Sequence, residues 1–301
     1  MIIKKRDSKE AEIKELTSLL SMPLPENKRF LVERELRFVK SGDKGESDSA
    51  YFIDFEFASS KRWAVIHDLR LECRNRVAQI DHLLINRFFD VYVLESKNFS
   101  YGVKITDTGE FLVNYGSKYF SIESPIEQNN RHIVVLENAF EQYDIMPTRL
   151  GMTIKPNFRS YIMVSPKSRV TRPSKSRFGT STVIKADTLR STIDKYVDNM
   201  APLSVFATAS KITSFEMVKW AAQRLVTLHK PIKMDYRKRF GIEDKPMDKQ
   251  IVSPSTETQQ ADKFFCFKCK TAISGKVARF CWDNKSRFGG RAYCFDCQKT
   301  I

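Results

Sequence analysis

At 301 residues and 42% hydrophobic content, the chain can bury a substantial core and has room for one large domain plus a small module. Its formal charge of +15 arises from 51 basic against 36 acidic residues, an excess of Lys and Arg that favours polyanionic partners through counterion release, with a merely solvated basic surface as the alternative. No apolar run reaches membrane-spanning length and Met1-Ile2-Ile3 runs straight into Lys4-Lys5-Arg6, so neither a signal peptide nor a membrane span is expected and the location is expected to be cytoplasmic.

Residues 7–20 read as a short amphipathic helix, with Asp7 and Glu10 at capping-box spacing and Ile13, Leu16 and Leu20 on one side. A second helix is predicted over 26–39, ending before Ser41-Gly42-Asp43, after which Gly45-Glu46 opens a segment leading to Tyr51-Phe52-Ile53. The pattern then changes. Residues 63–71, 78–85 and 91–99 are rich in β-branched and large apolar side chains and predict strands of a sheet covered on both faces. A small meander follows over 103–106, 111–115 and 118–122. Ser124-Pro125-Ile126-Glu127 combines an N-cap, a first-turn proline and a capping-box glutamate, so a helix is predicted from 125 to 143. A strand over 160–165 and helices over 188–197 and 214–229 complete a mixed α/β core, and the polar stretch 230–262 reads as a linker.

In an antiparallel pair the numbers of opposed residues keep a constant sum. A turn at Arg87-Phe88-Phe89 centred on Phe88 gives 176, which sets Asp81 opposite Glu95 and Gln79 opposite Lys97, all on one face. Two carboxylates together in an apolar sheet call for a cation, and hard oxygen ligands suit Mg²⁺ or Mn²⁺. Such an ion polarises a phosphoryl oxygen and lowers the pKa of a bound water, while Lys97 orients that water and offsets developing charge. That is the chemistry of phosphodiester hydrolysis. A structural salt bridge between Lys97 and the two acids is the competing explanation.

The order Gly45-Glu46, Gln79-Ile80-Asp81-His82, Glu95-Ser96-Lys97 and Pro125-Ile126-Glu127-Gln128 resembles the nuclease-related domain (NERD) family, a branch of the PD-(D/E)XK nuclease superfamily, over about residues 40 to 145. The resemblance implies an α/β core with a mixed central sheet flanked by helices, a metal held by Asp81 and Glu95, and Lys97 as the catalytic lysine. It makes Glu46 the additional helix-borne acid and Gln128 the polar residue of the following helix; an ordinary first-turn glutamate and a surface amide are the alternatives. The proline of the wider superfamily pattern is absent, since Ile80 precedes Asp81, but Gln-Ile-Asp follows the NERD form. His82 alternates away from Asp81 and is expected to pack in the sheet. His132, four residues after Gln128, is expected to face solvent or to be hydrogen-bonded rather than to serve the site, and Cys73 is expected to be a packed thiol.

Between Ser165 and Gly179, Lys167, Arg169, Arg172, Lys175 and Arg177 occur with no acid among them, a pattern that reads as a phosphate-contacting loop. In the tail, Cys266-x2-Cys269 and Cys294-x2-Cys297 supply two thiolate pairs separated by 24 residues, the arrangement from which a tetrahedral zinc site closes; Cys281 is left over, either replacing one ligand or sitting under the ribbon, and the non-ligand place is the one expected. The tail resembles a zinc ribbon, its Phe280, Trp282, Phe288 and Tyr293 interleaved with Arg287, Arg291 and other cations that suit phosphates and stacked bases, with a small core under the zinc as the other use of the aromatics and protein contact as the other use of the ribbon. The expected organisation is an N-terminal helical segment (1–39), a nuclease-like core with a helical extension (40–229), a linker (230–262) and a structural zinc ribbon (263–301). The expected function is a Mg²⁺- or Mn²⁺-dependent nuclease acting on nucleic acid, with DNA as the expected substrate and a non-catalytic binding or interaction protein on the same core as the alternative.

Overall fold

The apolar runs between residues 63 and 97 form the middle of a six-stranded mixed sheet. The computed structural model describes residues 1–115, 118–149, 151–174, 179–198, 212–242 and 264–300. It divides into two units, Met1–Glu243 and Asp244–Ile301. The first unit opens with β1 (Ile2–Lys4), α1 (Glu10–Leu20) and α2 (Glu26–Phe57), then β2 (Trp63–Cys73), β3 (Arg76–Asn86) and β4 (Asp90–Lys97). A meander of β5 (Val103–Ile105), β6 (Phe111–Tyr115) and β7 (Lys118–Ile122) leads into α3 (Pro125–Gln142). After the short β8 (Thr148–Arg149) and β9 (Met152–Thr153) come β10 (Asn157–Val164), β11 (Val170–Thr171), β12 (Val183–Lys185), α4 (Leu189–Asp198), α5 (Phe215–Thr227) and α6 (Tyr236–Phe240).

The main sheet has the order β1-β2-β3-β4-β10-β12, antiparallel through β2-β3-β4 and parallel where β10 joins β4. Its two faces carry separate cores. Alternate residues Leu83, Ile85, Val91 and Val93 pack with Leu136 and Phe140 of α3 and Leu225 of α5, while Leu84, Tyr92 and Leu94 pack with Ile53 and Phe57 of α2. The β3–β4 pairs run from His82 with Leu94 to Ile85 with Val91, each summing to 176, the register that the sequence predicts. Asn86 sets it: its Oδ1 accepts from the N–H of Phe88 (2.9 Å) and of Asp90 (3.0 Å), and its Nδ2 donates to Asp90 (3.0 Å). Phe89 closes the turn at a φ of 60°, a conformation that a bulky residue adopts only at a cost, offset here by complete burial against Phe140.

Two elements differ from the sequence reading. The helix expected to stop at residue 39 continues as α2 through Gly42 and Gly45 to Phe57, because Ser49, Ala50, Ile53 and Phe57 bury against the rest of the unit and outweigh two weak helix formers; the boundary expected at residue 40 therefore falls inside a helix. The expected linker begins as folded chain. Asp235 caps α6 by accepting from the Lys238 N–H (2.9 Å), Tyr236 is 2% exposed, and its hydroxyl donates to Glu12 (3.0 Å). Residues 243–263 lie outside the described residues. Asp7 does not cap α1; its backbone N–H donates to Asp68 and its carboxylate accepts from Lys4, each at 2.7 Å.

The second unit holds a hairpin of β13 (Phe264–Phe265) and β14 (Ala272–Ile273), followed by α7 (Gly275–Asp283), α8 (Lys285–Phe288) and α9 (Phe295–Gln298). Its ribbon is short, and helices supply the remaining scaffold. Among the described residues no helix is long and apolar enough to cross a membrane.

Candidate active site and metal centre

Glu95 and Lys97 project from the end of β4 on the α3 face. Lys97 Nζ donates to Glu95 Oε1 (2.6 Å) and to Gln128 Oε1 (3.1 Å), and Gln128 Nε2 donates back to Glu95 Oε1 (2.9 Å). Ser124 starts α3 by accepting from the Glu127 N–H (3.4 Å), and buried Asn129 docks the helix by donating to Val93 O (2.8 Å) and Ser160 Oγ (2.9 Å). Gln128, next to Asn129, is therefore held over β4. Glu95 is 3% exposed, and its second oxygen, Oε2, has no hydrogen-bond partner. His132 stands on the same side, its buried Nδ1, also without a partner, 3.8 Å from that oxygen. His132 thus faces the site rather than solvent, which corrects the expectation for it; burial pulls its pKa down to about 4, so the ring is neutral.

Asp81, on β3 level with Glu95, accepts the Ser96 N–H at Oδ2 (2.8 Å). Desolvation raises its pKa well above the usual carboxylate range, and the charges of Glu95 and Glu46 push it further. Glu95 is raised by burial against the opposing pull of Lys97, and Glu46 by burial and the charge of Asp68. The acids are thus starved of compensating positive charge. Arg6 supplies some, reaching Asp43 (2.8 Å) and Glu46 (3.2 Å).

Glu46 reaches this cluster because Gly45 lets α2 pass close to the end of β4: a Cβ built on Gly45 would lie 2.9 Å from Asn98 Cβ. Asn98 is itself tied to α2, its Nδ2 donating to Ser41 O (3.1 Å) and Oγ (3.2 Å). Asp68 is an acid the sequence reading missed. The β2–β3 pairs on either side of it, His67 with His82 and Leu69 with Ile80, place it level with Asp81, and its φ of 50° interrupts the ladder there. Gln79, by contrast, lies beyond the paired stretch of β3 and β4 and lines a pocket of about 620 Å³ with Glu46 and Asp68; Gln128, not Gln79, is the amide bonded to Glu95 and Lys97.

Behind the site runs a polar chain with two buried histidines at its centre. Asp54 Oδ1 and His67 Nε2 are 3.0 Å apart, His67 Nδ1 and His82 Nδ1 2.7 Å, and His82 Nε2 and Ser96 Oγ 3.0 Å. Burial lowers the pKa of both histidines, which are neutral spacers within the sheet. Cys73 is packed, with its thiol against Gln142 Oε1.

Residues 41–164, which contain all of these motifs, match the family model described as Nuclease-related domain. This segment is a nuclease-related domain. No curated protein and no solved structure matches the chain. In the nuclease-related domain the acids stand on four elements, with Glu46 on α2, Asp68 on β2, Asp81 on β3 and Glu95 on β4, and Lys97 and Gln128 are bonded to Glu95.

Among the described residues, only Cys266, Cys269, Cys294 and Cys297 bring three or more possible metal-ligand atoms within 4.8 Å of one another, and this cluster could hold a zinc ion. The thiols are poised unequally. Burial opposes ionisation of Cys266, but backbone N–H groups outweigh it and bring the thiol down to about 6, whereas the Cys294 thiol and burial push Cys297 up to about 12. Cys281 stands outside the cluster, buried, accepting from the Tyr293 N–H and Gln298 Nε2, each at 3.3 Å. Of the basic residues singled out in the sequence, Lys167 and Arg169 are exposed, and Arg172 is committed to Val183 O (2.6 Å). Arg287 donates to Gln298 O (2.8 Å), and Arg291 lies 4.2 Å over the Phe267 ring. Lys175 and Arg177 lie outside the described residues.

Proposed function

We propose that this protein is a metal-dependent nuclease that hydrolyses phosphodiester bonds in nucleic acid, with DNA as the expected substrate, in the cytoplasm. The observation that carries the reading is the unpartnered, buried Glu95 Oε2 beside an Asp81 whose ionised form lacks compensation. A buried carboxylate oxygen without a donor is costly, and a divalent cation is the partner that its chemistry suits. Asp81 and Glu95 would hold Mg²⁺ or Mn²⁺, with Glu46 as the further acid; when bound, the ion supplies Lewis-acid polarisation of the phosphate and a more acidic water. Lys97 does the rest of the positioning. Its ammonium, pinned between Glu95 and Gln128, has a donor left to orient an attacking water and to offset charge on the phosphoryl oxygens.

In the second unit the four thiolates would hold a structural zinc, whose binding free energy would supply much of the folding of a segment with few apolar residues to bury. Free thiols gathered for metal rather than paired as disulfides support a reducing compartment. Exposed Arg287 and Arg291 beside aromatic rings suit phosphate contacts, as do Lys167 and Arg169. The deciding experiment incubates purified protein with plasmid or single-stranded DNA and Mg²⁺ or Mn²⁺. Cleavage is expected from the wild type and not from Asp81→Ala or Lys97→Ala, and activity that persists in both variants refutes the site.

A further inference from the structure

β4 and β10 run parallel, with Lys97 beside Val164, and both strands end at the same edge of the sheet. There a groove of about 810 Å³ separates α2 from the segment that follows β10. Lys40, Lys44 and Tyr51 line it from α2, Lys167 lines it from the other wall, and Asn98, next in the chain to Lys97, belongs to it as well. Among the described residues no carboxylate is within ion-pair distance of the three ammonium groups, although Asp48 shares the groove. Three unneutralised cations in one hollow call for an anion with repeated charges.

The aromatic component narrows the class. Tyr51 is 64% exposed, and an edge-to-face contact with Phe52, centroids 5.4 Å apart, fixes its ring. Ser168, on the wall of the groove, is only 3% exposed, and its hydroxyl has no hydrogen-bond partner, so the groove also contains an unused polar group. We propose that this groove binds single-stranded nucleic acid, with Lys40, Lys44 and Lys167 on successive phosphates and Tyr51 stacked on an unpaired base, and so feeds the strand to Lys97. The inference rests on the nucleic-acid reading given above and adds the strandedness of the substrate. A duplex keeps its base faces covered, so it offers Tyr51 nothing to stack on. A hollow of this volume falls in the range of roughly 300–1,000 Å³ that encloses small ligands, the scale of nucleotide units rather than of a double helix.

The test uses the full chain and a single-stranded oligonucleotide longer than about 16 nucleotides carrying 2-aminopurine, against the same sequence as a blunt duplex. Binding to the wild type is expected to quench the 2-aminopurine and to resist competition by duplex. Tyr51→Ala should abolish the quench and weaken binding by about 5- to 150-fold, and Tyr51→Phe should restore both. Lys44→Ala combined with Lys167→Ala should reduce the salt dependence of log K by about 1.4. Equal competition by duplex, or a quench unchanged in Tyr51→Ala, overturns the proposal. Cleavage read on the same samples separates the two readings. A wild type that binds and quenches but never cuts keeps the groove and loses the nuclease; one that cuts while Tyr51→Ala binds as tightly as wild type loses the groove alone.

Discussion

Two glycines three residues apart in α2 should respond differently to alanine, one with a gain in stability and the other without. A Cβ added at Gly42 meets nothing within 4 Å, so Gly42→Ala collects the intrinsic helix gain of about 1 kcal/mol. For a unit of this size that corresponds to a rise in Tm of about 2–4 °C. Gly45→Ala collects the same gain but drives its methyl to 2.9 Å from Asn98 Cβ, an atom anchored to the backbone of the segment after β4. Asn98 has little freedom to yield, because Ser41 holds its amide at 3.1 and 3.2 Å. Overpacking of this kind costs about 1–3 kcal/mol, so the net effect runs from no gain to a loss of about 2 kcal/mol. Since Gly45 precedes Glu46 and Asn98 follows Lys97, the same displacement should lower cleavage in Gly45→Ala and leave it intact in Gly42→Ala. Urea unfolding of both variants beside the wild type decides the matter. A Gly45→Ala protein stabilised as much as Gly42→Ala would refute the close approach of α2 to β4.

The acids of the site set a pH dependence. Asp81, Glu95 and Glu46 have pKa values raised by burial in the folded state, so their contribution to stability is greatest where they are protonated and is lost as pH rises through those raised values. Melted in chelator across mildly acidic to neutral pH, Asp81→Asn should show a flatter profile than the wild type and a higher Tm at neutral pH; parallel profiles would contradict the assignment. In the second unit, metal analysis should find about one zinc per chain in the wild type and in Cys281→Ser, and loss of zinc in Cys266→Ser combined with Cys294→Ser. Tyr236→Ala should destabilise the first unit by about 3 kcal/mol through lost burial, whereas a residue in a free linker would leave the urea midpoint unmoved.

Most of the hairpin was legible because its information is local. Asn86 and Asp90 flank the turn, the turn fixes the register, and the register places Asp81 level with Glu95. Ser124 and Pro125 likewise announced α3 through the chemistry of a helix start. What failed depended on distant chain. Nothing near Ser41-Gly42 shows that Ile53 and Phe57 will bury under the sheet and carry α2 onward, and the polar run around Tyr236 conceals one side chain that packs with Leu16 and Val32. His132 faces Glu95 because Asn129 docks α3 on β4, a contact that no helical spacing reveals. Asp68 left a usable sign. The tight turn at Arg74-Asn75, with Cys73 opposite Arg76, sets the β2–β3 register just as Asn86 sets the next one, and it places Asp68 level with Asp81.

The file of side chains behind the site carries a direction. The Asp54 carboxylate can only accept, so His67 donates from Nε2 and accepts at Nδ1. His82 must then donate from Nδ1 and accept at Nε2, which leaves the Ser96 hydroxyl as a donor. A single acid on α2 thereby dictates opposite tautomers for two adjacent rings, a left-right asymmetry that nitrogen NMR shifts of the two imidazoles would display directly. Replacing Asp54 with asparagine, which offers either an acceptor or a donor, would remove the arrow from the file without emptying a single place in it.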